Sequence, residues 1–126
     1  MTRRTKGRTA HHAGHAAEAA ATRAYAARGA QVLETRLKTP EGEIDLILRD
    51  GNALVFVEVK QRKNNTEFAS PVTARQWERL ENAANHYIMG CHRKTGVQPV
   101  CRFDVALVGH DGQVQIIENA RSFDTY

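Results

Sequence analysis

Apolar positions along this chain fall into runs of two different periods. From His11 to Arg28 the residues are rich in alanine and free of proline, a composition of high helix propensity, and Gly29 follows as a left-handed cap. This predicts a first helix. Gln31 to Leu37 carries β-branched and apolar residues, Pro40 interrupts it, and Gly42 to Leu48 resumes as Gly-Glu-Ile-Asp-Leu-Ile-Leu, which predicts two strands. Arg49-Asp50-Gly51-Asn52 is a turn, and Ala53 to Lys60 is the most strand-like segment of all, so strands two and three form a hairpin. The polar stretch Gln61 to Ser70 reads as a loop. Thr73 with Gln76 makes a capping box, and Trp77, Leu80, Ala84, Tyr87 and Ile88 recur at helical spacing, predicting a second helix from Thr73 to Met89 ended by Gly90. Val100 to Val108 and Val114 to Ile117, joined by Gly109-His110-Asp111-Gly112, predict a closing strand pair. The order α-β-β-β-α-β-β is that of an α/β sheet packed against helices.

The hairpin carries the chemistry. Alternation along strand two groups Glu43, Asp45 and Ile47 on one face and Ile44, Leu46 and Leu48 on the other; on strand three it groups Phe56, Glu58 and Lys60. If the loop is Gly51-Asn52, Asp45 lies opposite Glu58; if it is Asp50-Gly51, Glu43 faces Glu58 and Asp45 is diagonal to it. Either register puts the carboxylates on one face. Opposed side chains have β-carbons roughly 5 Å apart, within reach of a common cation. Mg²⁺ prefers oxygen ligands and is usually held by one or two carboxylates with substrate phosphate. Lys60, on the same face as Glu58, is placed to orient an attacking water or to stabilise charge on phosphoryl oxygens. Most Glu-x-Lys triplets in strands are solvated ion pairs. Here the triplet follows Leu54-Val55-Phe56-Val57, a run that predicts burial on both faces, where unpaired carboxylates are costly.

A chain of 126 residues, 41% hydrophobic, suits one domain, read as residues 13–126. No apolar run is long enough to span a bilayer and no signal peptide is evident, so no membrane contact and a cytoplasmic location are expected. Two cysteines, Cys91 and Cys101, with no paired motif predict free thiols and no cysteine nucleophile. The net charge of +4 is concentrated in Arg3, Arg4, Lys6 and Arg8, within a basic segment 1–12 expected to be disordered, while the remainder is neutral. Such a tail adds salt-sensitive phosphate contacts or is a solvated end. His11, His12 and His15 lack cysteine partners and receive no ligand role. Trp77 and Tyr87 lie on the apolar stripe of helix two and are read as core. Asp104, between Phe103 and Val105, is read as a buried structural acid accepting backbone or Arg102 hydrogen bonds.

Asp45 followed across a hairpin by Glu58-Val59-Lys60 resembles the PD-(D/E)xK nuclease motif. The wider chain resembles the YraN-like family of small bacterial proteins, through Gly14-His15-Ala16-Ala17-Glu18, Gly42-Glu43-Ile44-Asp45-Leu46-Ile47, Phe56-Val57-Glu58-Val59-Lys60, Cys101-Arg102-Phe103-Asp104-Val105 and Ile117-Glu118-Asn119-Ala120. The resemblance covers nearly everything after residue 13. It implies a restriction-endonuclease-like mixed five-stranded sheet flanked by helices, similar to Holliday-junction resolvases. It also implies Mg²⁺ or Mn²⁺ held at Asp45, Glu58 and Val59, with Lys60 positioning phosphate and water and Glu18 as a supporting acid. Ile44 stands where the superfamily motif has proline, and Gln76 and Glu78 stand where the family has bases on helix two.

These readings predict a divalent-metal-dependent endonuclease-like hydrolase acting on structured or single-stranded DNA as a monomer or homodimer. The nucleic-acid contacts are expected at Arg3, Arg4, Lys6, Arg8, Arg62 and Lys63. The rival expectation is a non-catalytic nucleic-acid-binding protein on the same fold, with Arg93 and Lys94 as further phosphate contacts.

Overall fold

The computed structural model describes residues 2–62, 72–96 and 99–121, with side chains in the first helix from residue 14 onward. The predicted loop beyond Arg62, including Lys63, lies outside them.

Helix α1 (Thr2–Ala27) is followed by strands β1 (Gln31–Thr39), β2 (Gly42–Asp50) and β3 (Ala53–Gln61), helix α2 (Ala74–Thr95), and strands β4 (Val100–Val108) and β5 (Val114–Arg121). All seven elements occur in the predicted order. The strands form one sheet in the order β1-β2-β3-β4-β5. The β3–β4 pair is parallel and the other three pairs are antiparallel. A parallel pair needs a crossover connection, and α2 supplies it.

Each face of the sheet is covered by one helix, which explains why Leu54 to Val57 are buried without a break. On one face Ile47, Phe56, Phe103, Val105 and Leu107 pack against Trp77, Leu80, Ala84 and Ile88 of α2. On the other, Leu46, Leu48, Val55, Val57, Ala106 and Val108 pack against Ala17, Ala20, Ala21 and Tyr25 of α1. Alanine on α1 lets that helix approach closely. Trp77 packs edge-on against Phe103 at 6.1 Å, and Phe56 against Tyr87 at 6.0 Å, so both α2 aromatics belong to the core as expected.

Several boundaries differ from expectation. Helix α1 starts at Thr2 rather than His11 and takes in the basic segment, whose arginines and lysine have good helix propensity and which carries Gly7 in its interior. The side chains of Arg3, Arg4, Lys6 and Arg8 lie outside the described residues. Gly90 does not end α2: the helix continues to Thr95 and is closed by Gly96 at φ 72°. An interior glycine costs roughly 1 kcal/mol relative to alanine, and His92, Arg93 and Lys94 in the last turn offset it by facing the negative end of the helix dipole. The capping box forms as predicted, with Gln76 N–H donating to Thr73 Oγ1 at 3.1 Å and Thr73 N–H to Gln76 Oε1 at 2.9 Å.

Asp104 on β4 is fully buried and fully engaged. Its Oδ2 accepts from Tyr25 Oη at 2.9 Å and Arg102 Nη2 at 3.0 Å, and its Oδ1 accepts from Arg102 Nε at 2.9 Å and Asn119 N at 3.0 Å. The expected backbone and Arg102 partners are present. Arg102 reaches on to Asp50 of β2 at 3.0 Å. Two non-glycine residues have left-handed backbone, Arg36 on β1 and Asn119 on β5, each at φ 53°. Both belong to edge strands of the sheet.

Candidate functional site

The site forms where the β2–β3 hairpin opens. Pairing runs from Asp50↔Ala53 to Leu46↔Val57, so the loop is Gly51-Asn52, the first of the two registers left open by the sequence. One step further Asp45 would face Glu58 in the ladder. Instead, Asp45 Oδ2 accepts the Val59 N–H at 2.8 Å, so a carboxylate takes the place of a strand carbonyl. On its other side β2 pairs with β1 through Thr35↔Leu46 and Leu37↔Ile44, and the intervening Arg36 turns left-handed. The alternation of β2 slips at this point. Ile44 joins Ile47 in the α2-side core while Leu46 and Leu48 remain in the α1-side core. The expectation that Ile44 shares a face with Leu46 and Leu48 is therefore corrected: beyond Leu46 the strand has parted from β3 and is held by β1 alone, and its alternation is no longer fixed from both sides.

The distortion brings Asp45 to α1. Oxygens of Glu18, Glu43 and Asp45 all lie within 4.8 Å of one another. Arg36 neutralises part of this charge, its Nε 3.3 Å from Glu18 Oε2 and 3.7 Å from Glu43 Oε1, and it also hydrogen-bonds His15. Burial raises the Asp45 carboxyl above its usual range, with Glu43 adding to the shift and the Val59 N–H, Lys60 and Arg36 opposing it. Burial also raises Glu18, then the charge of Asp45, against Arg36. Glu58 is not one of the three clustered acids. It is pushed up to about 7, chiefly by burial and next by Asp45, with Lys60 and Arg79 of α2 pulling the other way. Asp45, Glu58 and Lys60 thus interact electrostatically, and Glu18 joins them from the other layer. Glu58, Val59 and Lys60 are held in place by the parallel ladder to Val105, Ala106 and Leu107.

Glu43, Arg36 and Arg79 were not singled out as site residues from the sequence. Glu43 carried a signal, since alternation already placed it beside Asp45. Arg36 carried none, because its contact with Glu18 depends on a left-handed kink. Of the expected phosphate contacts, Arg62 donates through Nη2 to Gln115 of β5 and through its backbone N–H to Val108 O at 2.9 Å, while its Nε is buried without a hydrogen-bond partner among the described residues. Arg93 and Lys94 lie in the last turn of α2. Both thiols are free, and burial pushes the Cys101 thiol up to about 11, away from thiolate nucleophilicity. No helix among the described residues is long and apolar enough to cross a membrane.

The raised acids set a pH dependence of known sign. In the unfolded chain Glu58 titrates near 4.5, and in the folded protein it holds its proton to about 7. Between those values the folded state binds more protons, so stability falls as pH rises. Urea unfolding across this window should show a declining midpoint, and Glu58→Gln should flatten the decline. A parent protein that gains stability between about pH 4.5 and 7 would contradict the assignment.

Residues 17–108 match the model of the uncharacterised protein family UPF0102. A UPF0102 protein of Ruegeria sp. (strain TM1040) is 44% identical over 117 residues, covering 93% of each chain. One from Cereibacter sphaeroides (strain ATCC 17025 / ATH 2.4.3) is 41% identical over 114 residues, 90% of this chain and 96% of its own. One from Ruegeria pomeroyi is 41% identical over 116 residues, covering 92% of this chain and 93% of its own. The matched span contains Glu18, Asp45, Glu58 and Lys60.

Proposed function

The chain belongs to the UPF0102 family, and from that premise we propose that it is a divalent-cation-dependent nuclease hydrolysing phosphodiester bonds in structured or single-stranded DNA. The observation that carries this reading is the gathering of Glu18, Glu43 and Asp45 within 4.8 Å, beside Glu58 and Lys60, at the point where the hairpin opens. Glu18 and Asp45 are half-buried and Glu43 exposed, and carboxylates so close together repel one another and favour a cation between them. The donor set is all oxygen and anionic, which suits Mg²⁺ or Mn²⁺ and not a soft metal.

Asp45, Glu58 and the Val59 backbone would hold the ion, with Glu18 and Glu43 within reach. The cation, when bound, supplies a Lewis acid that offsets charge on the phosphoryl group. The remaining work falls to the chain itself. Val59 N–H fixes one oxygen of Asp45, leaving the other for a ligand. Glu58 holds its proton to about 7, so binding the ion there would release a proton and cation affinity should rise with pH. Lys60 would orient an attacking water and offset developing negative charge.

A second reading is a nucleic-acid-binding protein without catalysis. It is favoured by one observation: Arg36 already pairs with Glu18 and Glu43, so part of the cluster is neutralised without a metal. Cleavage of labelled single-stranded, duplex and four-way-junction DNA in Mn²⁺ and in Mg²⁺ separates the two. Under the nuclease reading the parent cuts at least one substrate and Glu58→Ala and Lys60→Ala do not. A parent inert on all of them, with no Mn²⁺ site dependent on Asp45 and Glu58, would leave the binder.

A further inference from the structure

Two arginines of α2 stand where helix electrostatics disfavour them. Arg75 lies in the first turn, at the positive end of the dipole, a turn that contains no acid. Arg79 follows at i+4, a spacing at which like charges repel. Both are exposed. Among the described residues neither guanidinium has an ion pair or hydrogen bond, although Glu78 is three residues from Arg75. The nearby acids are otherwise engaged: Glu81 with Arg121, and Glu41 with His86.

The stem of Arg79 is fitted to the sheet. A β-carbon added at Gly42, where φ is 149°, would sit 2.7 Å from Arg79 Cγ and 2.8 Å from its Cδ. The absence of a side chain at Gly42 therefore lets Arg79 lie across the start of β2. Its charge is felt at Glu58. The arginine thus borders the acid site from the α2 side, as Arg36 borders it from β1, but Arg36 is paired with carboxylates and Arg79 is not.

We infer that Arg75 and Arg79 form a phosphate-binding stripe on α2 that holds the backbone of a nucleic-acid strand alongside the acid cluster. Side chains at i and i+4 lie one above the other on a helix face, so the pair presents two guanidinium groups in a row to a polyanion. A strand gripped there meets the carboxylates only through a cation, which makes the stripe complementary to the acidic floor. The inference rests on the nuclease reading for its choice of ligand, and it assigns to α2 a role for which Gln76 and Glu78 are unsuited.

The test is fluorescence anisotropy of the full chain with a labelled single-stranded oligonucleotide in EDTA, where no cleavage occurs, titrated over salt. Arg75→Ala and Arg79→Ala should each weaken binding several-fold and lower the salt slope by roughly 0.7, and the double variant should lose about twice that. Arg23→Ala, an exposed arginine of α1 on the other face of the sheet, should leave both unchanged. Circular dichroism should show parental helix content, because both arginines are exposed. A double variant with parental affinity, or with weaker binding at an unchanged slope, overturns the stripe while leaving cleavage by the parent in Mn²⁺ to decide the nuclease reading. A parent that binds but never cuts, through these two residues, upholds the stripe and removes the nuclease. A parent that binds no nucleic acid removes both.

Discussion

Asp45→Asn is expected to abolish divalent-cation-dependent cleavage, by about 10³-fold or more, while leaving the fold in place. The substitution is chosen for what it retains. Asparagine Oδ1 still accepts the Val59 N–H that Asp45 Oδ2 accepts at 2.8 Å, so the open hairpin keeps this bridging hydrogen bond. What disappears is the charge at the centre of the cluster. After burial, the charge of Asp45 is the next cause that raises both Glu18 and Glu58, so its neutralisation should lower both carboxyls part of the way toward their ordinary range. Mn²⁺ affinity, read by calorimetry without DNA, should fall with activity. Asp45→Ala adds a structural cost, because the Val59 N–H loses its acceptor at about 1–3 kcal/mol. Cleavage that survives Asp45→Asn at the parental rate would refute the proposed site, whatever the fold does.

The largest stability effect is expected at Asp104. Asp104→Leu should lower the unfolding free energy by about 3–5 kcal/mol, the range found when one partner of a buried charge pair is removed. Four donors converge on its two oxygens: one from α1, two from Arg102 on its own strand and one from the β5 backbone. Leucine fills the space but leaves Tyr25 Oη, Arg102 Nε and the Asn119 N–H without their acceptor, while Arg102 Nη2 keeps Asp50. Domains of this size have total stabilities of about 5–15 kcal/mol, so the variant should be near its folding threshold. Tyr25→Phe removes one donor and should cost only about 1 kcal/mol. Urea unfolding of the three proteins decides it: equal midpoints for Asp104→Leu and Tyr25→Phe would mean that the carboxylate does not tie the layers together.

Local signals carried most of the architecture. The hairpin was legible because Arg49-Asp50-Gly51-Asn52 separates two apolar runs, and the capping box at Thr73 and Gln76 marked the start of α2 to within a residue. The end of α2 was not legible, because Gly90 looks like a stop and only the placement of His92, Arg93 and Lys94 beyond it argues for continuation. At the site, Asp45, Glu58 and Lys60 stood out through their spacing on two strands. Arg36 and Tyr25 did not: each acts through a partner brought near by tertiary folding, Glu18 in one case and Asp104, 79 residues away, in the other. Period-two reasoning also misplaced Ile44, which lies where β2 has parted from β3 and is paired with β1 alone.

The left-handed residues at Arg36 and Asn119 bear on more than the site. An open sheet exposes a row of unsatisfied amides and carbonyls along each border, which invites a foreign strand to add on and then another. Each border strand is irregular partway along its length: β1 has a bulge between Val32 and Glu34 and a left-handed Arg36, and β5 shifts register opposite Phe103 and Val105, where Asn119 is left-handed. Bulges of this kind make a border a poorer template for an incoming strand. The border strand that carries Arg36 to the carboxylates is thus also the one whose edge is least regular for a foreign strand to join.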